Sequence, residues 1–237
     1  MLVETSSVQL EPVRGGGWRL GHWASPRVIA GVTSRRVEAH DLLRELVPSA
    51  LSVEAEQVHG GSLAVVYGAG ARAWAFPVPG CDALITATPG LALRIRTADC
   101  LPMLFAAPAR GVIGIAHAGW RGLAASLPAR VVAAFRHVFH ASAGELSVAI
   151  GPAIRPCCYE VGPEFQERFG PFMEERDGRR TCNLIAAAVE QLRACGVRAG
   201  RIFDAQRCTA CEPREWFSLR REGQETGRLT SFILLQP

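Results

Sequence analysis

The stretch TADCLPMLFAAPARGVIGIAHAGWRG, residues 97–122, contains two apolar segments that a turn near Pro108 separates. Short apolar runs bounded by turn residues are typical of buried strands. Cys100 stands where an earlier strand-like segment ends, and His117 stands near the end of the second apolar segment. The pattern therefore predicts neighbouring buried strands that carry reactive side chains at their ends.

The segments on either side extend this pattern in both directions. We expect further strands over residues 28–36, 51–59, 62–68, 81–90, 91–100, 145–154 and 229–236. Apolar spacing predicts helices over 37–47, 123–139 with a break or restart at Pro128, 162–170, and 182–197 with Gly196 as the C-cap. This order favours an α/β or α+β fold over a repeated βαβ fold. Residues 68–76, GAGARAWAF, lack the GxGxxG dinucleotide fingerprint.

Composition limits the class of protein. The chain has 237 residues, 49% of them hydrophobic, which suits one large domain. It contains no apolar run of the roughly 18 residues that span a membrane, and residues 1–18 do not resemble a signal peptide. We therefore expect a cytoplasmic protein without a membrane partner. The net charge of +4 is weak support for nucleic acid, so we expect none as a partner.

All 26 basic residues are arginine, and the chain contains no lysine. This excludes a P-loop lysine, a lysine Schiff base and a lysine general base. An anionic ligand would have to be bound by arginine side chains or by backbone N–H groups.

His59, Cys100 and His117 form the candidate metal site. Each stands at the end of a predicted strand, and small residues follow both histidines. Two imidazoles and a thiolate match catalytic zinc, which usually has three protein ligands and an open position for water. Their wide spacing excludes a zinc finger, whereas copper could also bind such a set.

Longer motifs carry a family resemblance. In chain order they are QVHG (57–60), DALIT (82–86), TADCLP (97–102), HAGWRG (117–122), GPAIRPCCYEVG (151–162) and FSLRREGQETGR (217–228). Together they resemble the family long named multicopper polyphenol oxidase or laccase domain, also described as purine nucleoside phosphorylase. The resemblance implies one α/β domain over residues 1–237, with sandwich-like layers, mixed sheets and flanking helices. It also implies that His59, Cys100 and His117 bind zinc.

The resemblance further implies phosphorolysis of adenosine, inosine, guanosine and methylthioadenosine to a ribose 1-phosphate and a free base, together with adenosine deamination. The partners would be a nucleoside and phosphate; the oligomeric state stays open. One alternative is an amidase that edits mis-loaded muramyl-peptide cell-wall precursors. A non-catalytic metal-binding module is another. A copper-dependent polyphenol oxidase is disfavoured, because its copper centres need more histidines than the six present.

Several residues receive candidate roles beyond metal binding. Cys100 and His117 are candidate catalytic residues, and Asp99 is a candidate acid–base group or a structural carboxylate. Arg121, Arg220 and Arg221 are the candidates for phosphate or substrate binding, since planar guanidinium groups bind phosphate bidentately.

Other residues are less decisive. Trp120 and Tyr159 could stack on a purine or belong to the core, and His137 and His140 are expected at the surface. Asn183 and Leu219 depart from the family pattern, which leaves fine specificity open. For Cys208 and Cys211 we expect packing more than a redox or metal pair, and for Cys158 packing or pocket lining.

Overall fold

The computed structural model describes residues 5–48, 50–68, 77–176 and 178–237. Of the stretch 68–76, only Gly68 lies within this part. Two large sheets and a set of helices make up the described fold. Among the described residues, none of the helices has both the length and the apolar character needed to cross a bilayer.

The first sheet has seven described strands and is mixed. Their spatial order is β1 (Ser6–Ser7), β14 (Ile202–Asp204), β11 (Ser147–Ile150), β9 (Leu101–Ala107), β10 (Val112–Ala118), β7 (Ala83–Thr86) and β6 (Leu63–Val65). β9 and β10 form the antiparallel hairpin that the sequence predicts, with a 3₁₀ turn at Pro108–Arg110 between them. β7 pairs antiparallel with β10, whereas β6 and β14 are held by parallel pairs.

The second sheet has six described strands. Their order is β2 (Gln9–Pro12), β3 (Trp18–Gly21), β4 (Val28–Val32), β15 (Leu229–Leu235), β8 (Leu91–Thr97) and β5 (Leu51–Glu54). Its pairs are antiparallel except for β5 with β8. A separate hairpin consists of β12 (Met173–Arg176) and β13 (Arg179–Cys182).

The described α-helices are mostly short. They are α1 (Ala39–Leu46), α2 (Trp120–Ala124), α3 (Leu127–Phe139), α4 (Gln166–Phe169), α5 (Leu184–Ala194) and α6 (Leu219–Glu222). Pro128 lies in the first turn of α3, where its missing N–H costs no hydrogen bond, so it marks the predicted restart. Gly196 ends the α5 segment with a φ of 93°, as its C-cap prediction requires.

The elements pack in layers around three apolar clusters. One core lies between the two sheets and includes Leu93, Ile115 and Ile233. A second joins the other face of the seven-stranded sheet to α2, α3 and α5, and α1 covers the outer face of the six-stranded sheet. Because both faces of β9 and β10 are covered, every residue in them is buried, which explains why their sequences are apolar apart from His117. The predicted α/β class with layered mixed sheets and flanking helices is confirmed.

Some element predictions were wrong in extent. The strand predicted over 51–59 ends at Glu54, so His59 lies in a bend beyond it and does not end a strand. The strand predicted over 91–100 ends at Thr97, which places Cys100 in the turn before β9. No strand was predicted for β1, β2 and β3 or for the β12–β13 hairpin. The extent of a single domain over 1–237 stays a prediction.

Candidate metal centre and its two cavities

His59, Cys100 and His117 converge at one edge of the seven-stranded sheet. His117 belongs to β10, and its partner across the β9–β10 hairpin is Pro102, so Cys100 lies in the turn just beyond that pair. A Cβ added to Gly119 would lie 2.8 Å from Cys100 Sγ, so only glycine allows the two segments to approach this closely.

The three side chains can offer ligand atoms to a single ion. One nitrogen from each histidine and the Cys100 sulfur all lie within 4.8 Å of one another. The two imidazole rings meet edge to face, with 4.7 Å between centroids and an interplanar angle of 88°. His59 is exposed, Cys100 is partly exposed and His117 is buried, which leaves the site open on one side.

Asp82 holds both histidines in place. This fully buried carboxylate accepts hydrogen bonds from His117 Nδ1 at 2.9 Å, from the backbone N–H of His59 at 2.9 Å and from that of Gly60 at 2.6 Å. Because Nδ1 of His117 is engaged, Nε2 remains for a metal, in the carboxylate–histidine–metal arrangement common in zinc sites. The sequence reasoning assigned Asp82 no role, although it stands in the DALIT motif.

The site shifts the pKa values of its groups. Burial opposes ionisation of Cys100, yet hydrogen bonds and charge interactions with His117 and His59 lower the pKa of its thiol to about 7. Burial also disfavours the imidazolium of His117, but hydrogen bonds with Asp82 and Cys100 raise its pKa to about 9. Burial acts to raise the pKa of Asp82, but its bonds with His117, Gly60 and His59 lower it. A thiolate beside two imidazoles is a donor set that attracts a borderline-soft cation such as zinc.

Strained backbone surrounds the candidate ligands. Gln57, His59 and Asp99 have φ values of 65°, 60° and 91°, which are uncommon for residues other than glycine. The side chain of Gln57 donates to the Arg96 carbonyl at 2.6 Å and accepts from its N–H at 2.7 Å, which fixes the loop that carries His59. Such strain is characteristic of functional sites.

Two cavities meet at the candidate metal centre: both contact His59 and Cys100, and the first also contacts His117. The first has a volume of about 370 Å³ and is polar, with Glu56, Gln57, Arg96, Thr226 and Arg228 among its lining residues. The second has a volume of about 360 Å³ and is lined by Trp120, Arg121, Ile154, Tyr159, Leu184 and Arg220, among others. The arrangement offers an apolar, aromatic compartment next to a polar one.

The predicted phosphate-binding arginines differ in their surroundings. Arg121 is exposed, lines the aromatic cavity and stacks its guanidinium on Trp120 at 4.6 Å. Arg220 also lines this cavity; it stacks on Tyr159 at 5.2 Å and donates to the Glu160 carbonyl at 2.7 Å. Arg221 donates instead to the carbonyls of Thr209, Ala210 and Trp216 and to Glu222. These contacts favour a structural role for Arg221, and its phosphate role stays a prediction.

Asp99 adjoins Cys100 but is engaged elsewhere. Its carboxylate accepts hydrogen bonds from Thr209 Oγ1 at 2.6 Å and from the backbone N–H of Arg220 at 2.7 Å. These contacts are those of the structural carboxylate that the sequence left open, although the partners are not Arg121. Proton transfer by Asp99 stays a prediction.

The remaining sequence features fall into simple roles. Trp120 and Tyr159 are half-buried, pack on Phe165 and line the aromatic cavity. Asn183 is the N-cap of α5 and accepts from Ala186 N–H at 3.0 Å, a role in which asparagine equals aspartate. Leu219 contacts both cavities. His137 and His140 are exposed, as expected.

Comparisons with known proteins place this geometry among described relatives. Residues 30–236 match the family model described as multi-copper polyphenol oxidoreductase laccase. The purine nucleoside phosphorylase YlmD of Geobacillus stearothermophilus is 39% identical over 191 residues, which span 75% of this chain and 70% of that protein. Adenosine deaminase RL5, from an unknown prokaryotic organism, is 34% identical over 158 residues, spanning 63% of this chain and 60% of its own length. A crystal structure of YlmD superimposes with a TM-score of 0.86 at 31% identity, covering 98% of this chain and 100% of that chain.

Proposed function

The chain belongs to the family described as multi-copper polyphenol oxidoreductase laccase, and from that premise we propose that it is a zinc-dependent enzyme of purine nucleosides. Its main reaction would be phosphorolysis of adenosine, inosine, guanosine or methylthioadenosine. The observation that carries the proposal is the convergence of His59, Cys100 and His117 between an aromatic, arginine-bearing cavity and a polar one. Relatives named as a purine nucleoside phosphorylase and as an adenosine deaminase support the substrate class.

The donor set fits zinc. Asp82 orients His117 through Nδ1, and the pKa of Cys100, lowered to about 7, makes a substantial thiolate fraction available at neutral pH. His59, Cys100 and His117 would hold the ion. A zinc ion at this position supplies Lewis acidity, which can activate water or polarise a substrate atom. Copper would fit the same ligands, so metal analysis of the purified protein must decide between the two.

The aromatic cavity offers contacts for both the purine and the phosphate. Trp120, Tyr159 and Leu184 give the second cavity apolar surface on which a purine can stack. Arg121 and Arg220 border the same cavity and offer guanidinium groups to a phosphate dianion. A cavity of this size is at the lower end of the range that holds small ligands.

In phosphorolysis, a phosphate oxygen forms a bond to C1′ of the ribose while the C1′–N9 bond breaks. The bonding electrons leave with the purine, which takes up a proton and departs as free base. Positive charge develops on the ribose ring in between, so a phosphate held close by arginine stabilises it electrostatically. We assign that positioning to Arg121 and Arg220.

Adenosine deamination is the second candidate reaction, favoured by the relative named adenosine deaminase. Water adds to C6 of the purine and ammonia leaves, which requires a group that carries a proton between them. Asp99 adjoins the candidate ligands, but its two hydrogen bonds favour a positioning role, so this assignment is the weaker one.

Polyphenol oxidation is not supported by the donor inventory. Among the described residues, only two groups of three or more His, Cys, Asp or Glu side chains could hold a metal ion. His22, His40, His137 and His140 belong to neither group. Six histidines in the whole chain are too few for a trinuclear copper cluster together with a blue-copper site.

The decisive experiment compares the wild-type chain with Cys100→Ala, using Cys195→Ala as a control for loss of a thiol outside the site. Wild type should contain zinc and release hypoxanthine from inosine only when phosphate is present. Cys100→Ala should remain folded but should no longer hold zinc at this site. Its kcat/KM should fall at least about 100-fold, because a metal ligand has been removed. Adenosine and a muramyl-peptide nucleotide carrying serine are assayed alongside. The proposal is overturned if the muramyl-peptide nucleotide is the only one of these substrates that is turned over, or if Cys100→Ala keeps full phosphorolysis.

A further inference from the structure

Four cysteines outside the candidate metal centre come together in one cluster. Cys157 and Cys158 lie in a turn after β11, and Cys208 and Cys211 lie in the turn after β14. The four sulfur atoms all lie within 4.8 Å of one another. The sequence offered no second pair at matching spacing for Cys208 and Cys211. The fold supplies one, because residues 151–158 run beside residues 205–211.

Three of the six sulfur–sulfur distances are close to those of a tetrahedral metal site. Cys157 Sγ lies 3.7 Å from Cys208 Sγ and 3.6 Å from Cys211 Sγ, and Cys158 Sγ lies 3.4 Å from Cys211 Sγ. Four thiolates at a Zn–S distance of about 2.3 Å define a tetrahedron whose edges are about 3.8 Å. A disulfide needs sulfurs about 2.05 Å apart. Cys211 also lies near two partners at once, which a single disulfide would not explain.

Polar groups of the backbone surround the sulfur of Cys208. The N–H groups of Arg155, Ala210 and Cys211 lie within hydrogen-bonding reach of its sulfur. Such donors stabilise negative charge on a metal-bound sulfur in the way that outer-shell groups generally do. Arg155 is itself held by Asp204 through two hydrogen bonds of 3.0 and 2.8 Å, and its charge acts on Cys157 and Cys208. This cation offsets the net negative charge of four thiolates around a divalent ion.

We propose that Cys157, Cys158, Cys208 and Cys211 bind a second zinc ion in a closed, structural site. All four coordination positions come from protein sulfur, so the ion has no open position for substrate or water. Tetrahedral sites made of sulfur ligands bind zinc or iron. We assign zinc, because four cysteines with no open coordination position are the usual structural zinc arrangement.

The bound ion would stabilise two segments next to the aromatic cavity and the candidate metal centre. Tyr159, which lines that cavity, directly follows Cys158. Thr209 directly follows Cys208 and donates to Asp99, which adjoins Cys100. An ion that joins the two turns therefore fixes both segments at once. Without it, we expect a lower melting temperature and weaker substrate binding, while the three-ligand site keeps its metal.

Metal counting tests the proposal independently of nucleoside turnover. The full chain is purified without added metal and dialysed against a weak chelator, and zinc is measured by mass spectrometry. Wild type should hold one zinc ion in addition to the ion at the site formed by His59, Cys100 and His117. Cys158→Ser combined with Cys211→Ser should lose that ion, Cys100→Ala should lose only the other, and the control Cys195→Ser should lose neither.

Cobalt substitution keeps the proposal testable if the double variant fails to fold. In the Cys100→Ala background, added Co²⁺ should give intense thiolate-to-cobalt charge-transfer absorption and the d–d bands of a tetrahedral site. The exposed, single Cys157→Ser change should weaken them. The proposal is overturned by a folded Cys100→Ala protein that holds no zinc, by iron at the cluster, or by a mass under non-reducing conditions that shows a disulfide among these four cysteines. If the double variant loses one zinc ion but the wild-type protein shows no phosphorolysis, the four-cysteine site is supported and only the proposed function fails.

Discussion

At the scale of single residues, Asp82 organises the candidate metal centre without being one of its ligands. Its two carboxylate oxygens bind the backbone of His59 and Gly60 and the side chain of His117. The backbone N–H of His117 also donates to the backbone carbonyl of Asp82 at 2.8 Å. This bond adjoins the pairing of β7 with β10, which begins at Ala83 and Ala116. One buried carboxylate thus positions two candidate ligands that stand far apart in sequence.

We expect Asp82→Asn to weaken zinc binding about 10–100-fold, as loss of an outer-shell carboxylate typically does. Asparagine keeps the shape but removes the charge that favours the His117 Nδ1–H tautomer. Competition with a chelator of known affinity measures the change, and excess zinc should restore part of the turnover. Asp41→Asn, an exposed change on α1, serves as the control. An unchanged zinc affinity would show that His117 is oriented without this charge.

The three candidate ligands could be singled out from residue type, and Asp82 could not; that they bind a metal stays a prediction. His59, Cys100 and His117 are the kinds of side chain that bind zinc, and each stands beside a predicted strand. An aspartate at the start of a predicted strand is equally typical of an ordinary turn residue. Its role depends on the register of β7 against β10, which places Asp82 beside His117, and register is a long-range property. Arg96 and Arg228 were missed for the same reason, since only the fold brings them to one cavity.

At the scale of elements, α6 is too short to be stable alone and depends on contacts at its start. Ser218 caps it by accepting from Arg221 N–H at 3.3 Å, and Asp99 accepts from Arg220 N–H at 2.7 Å. Asp99 is anchored in turn by Thr209. Leu219 and Arg220 of this helix line the aromatic cavity, so the anchor reaches the proposed substrate site.

Thr209→Val should therefore destabilise the protein and weaken substrate binding together. Valine matches threonine in shape but removes the donor to a buried carboxylate, which costs about 1–3 kcal/mol. Denaturant unfolding should show this loss, and KM for nucleoside should rise more than kcat falls, because α6 shifts while the ligands stay. Zinc content should not change. Thr181→Val, at a half-buried position in β13, is the matched control. An equal KM in both variants would contradict the anchoring role.

Elements with strong patterns were predicted well, and weakly patterned ones were not. β9, β10 and α5 were predicted because burial on two faces or a long apolar repeat leaves a clear signal. β1, β2 and β3 are short, and β1 and β2 contain only half-buried or exposed residues, so they carry little hydrophobic signal. Residues 55–59 continue the strand-like pattern of β5, but the turn that delivers His59 to the site overrides it.

At the scale of the whole molecule, β10 joins the core to the site. Ile113 and Ile115 pack between the two sheets, Ala116 packs against the helical layer, and His117 reaches the candidate metal centre. Gly114 lets α3 approach, since a Cβ there would lie 3.0 Å from the Phe135 ring. A change that disorders β10 therefore disturbs the two sheets and the helical layer together. This supports the prediction that the chain folds as one cooperative domain.

We expect Ile115→Ala to lower the free energy of unfolding by about 2–5 kcal/mol, the usual cost of truncating a fully buried isoleucine. Fluorescence, to which Trp23 and Trp216 of the inter-sheet core contribute, and helical circular dichroism, which follows the outer layers, should shift to the same new midpoint. Zinc at the three-ligand site should be released in that same transition. Val138→Ala, at a position 46% exposed on α3, should change stability by less than about 0.5 kcal/mol. If the helical signal kept its original midpoint while fluorescence moved, the outer helices and the inter-sheet core would belong to separate folding units. The single-domain prediction would then be wrong, because the packing of β10 would not transmit the damage across the layers.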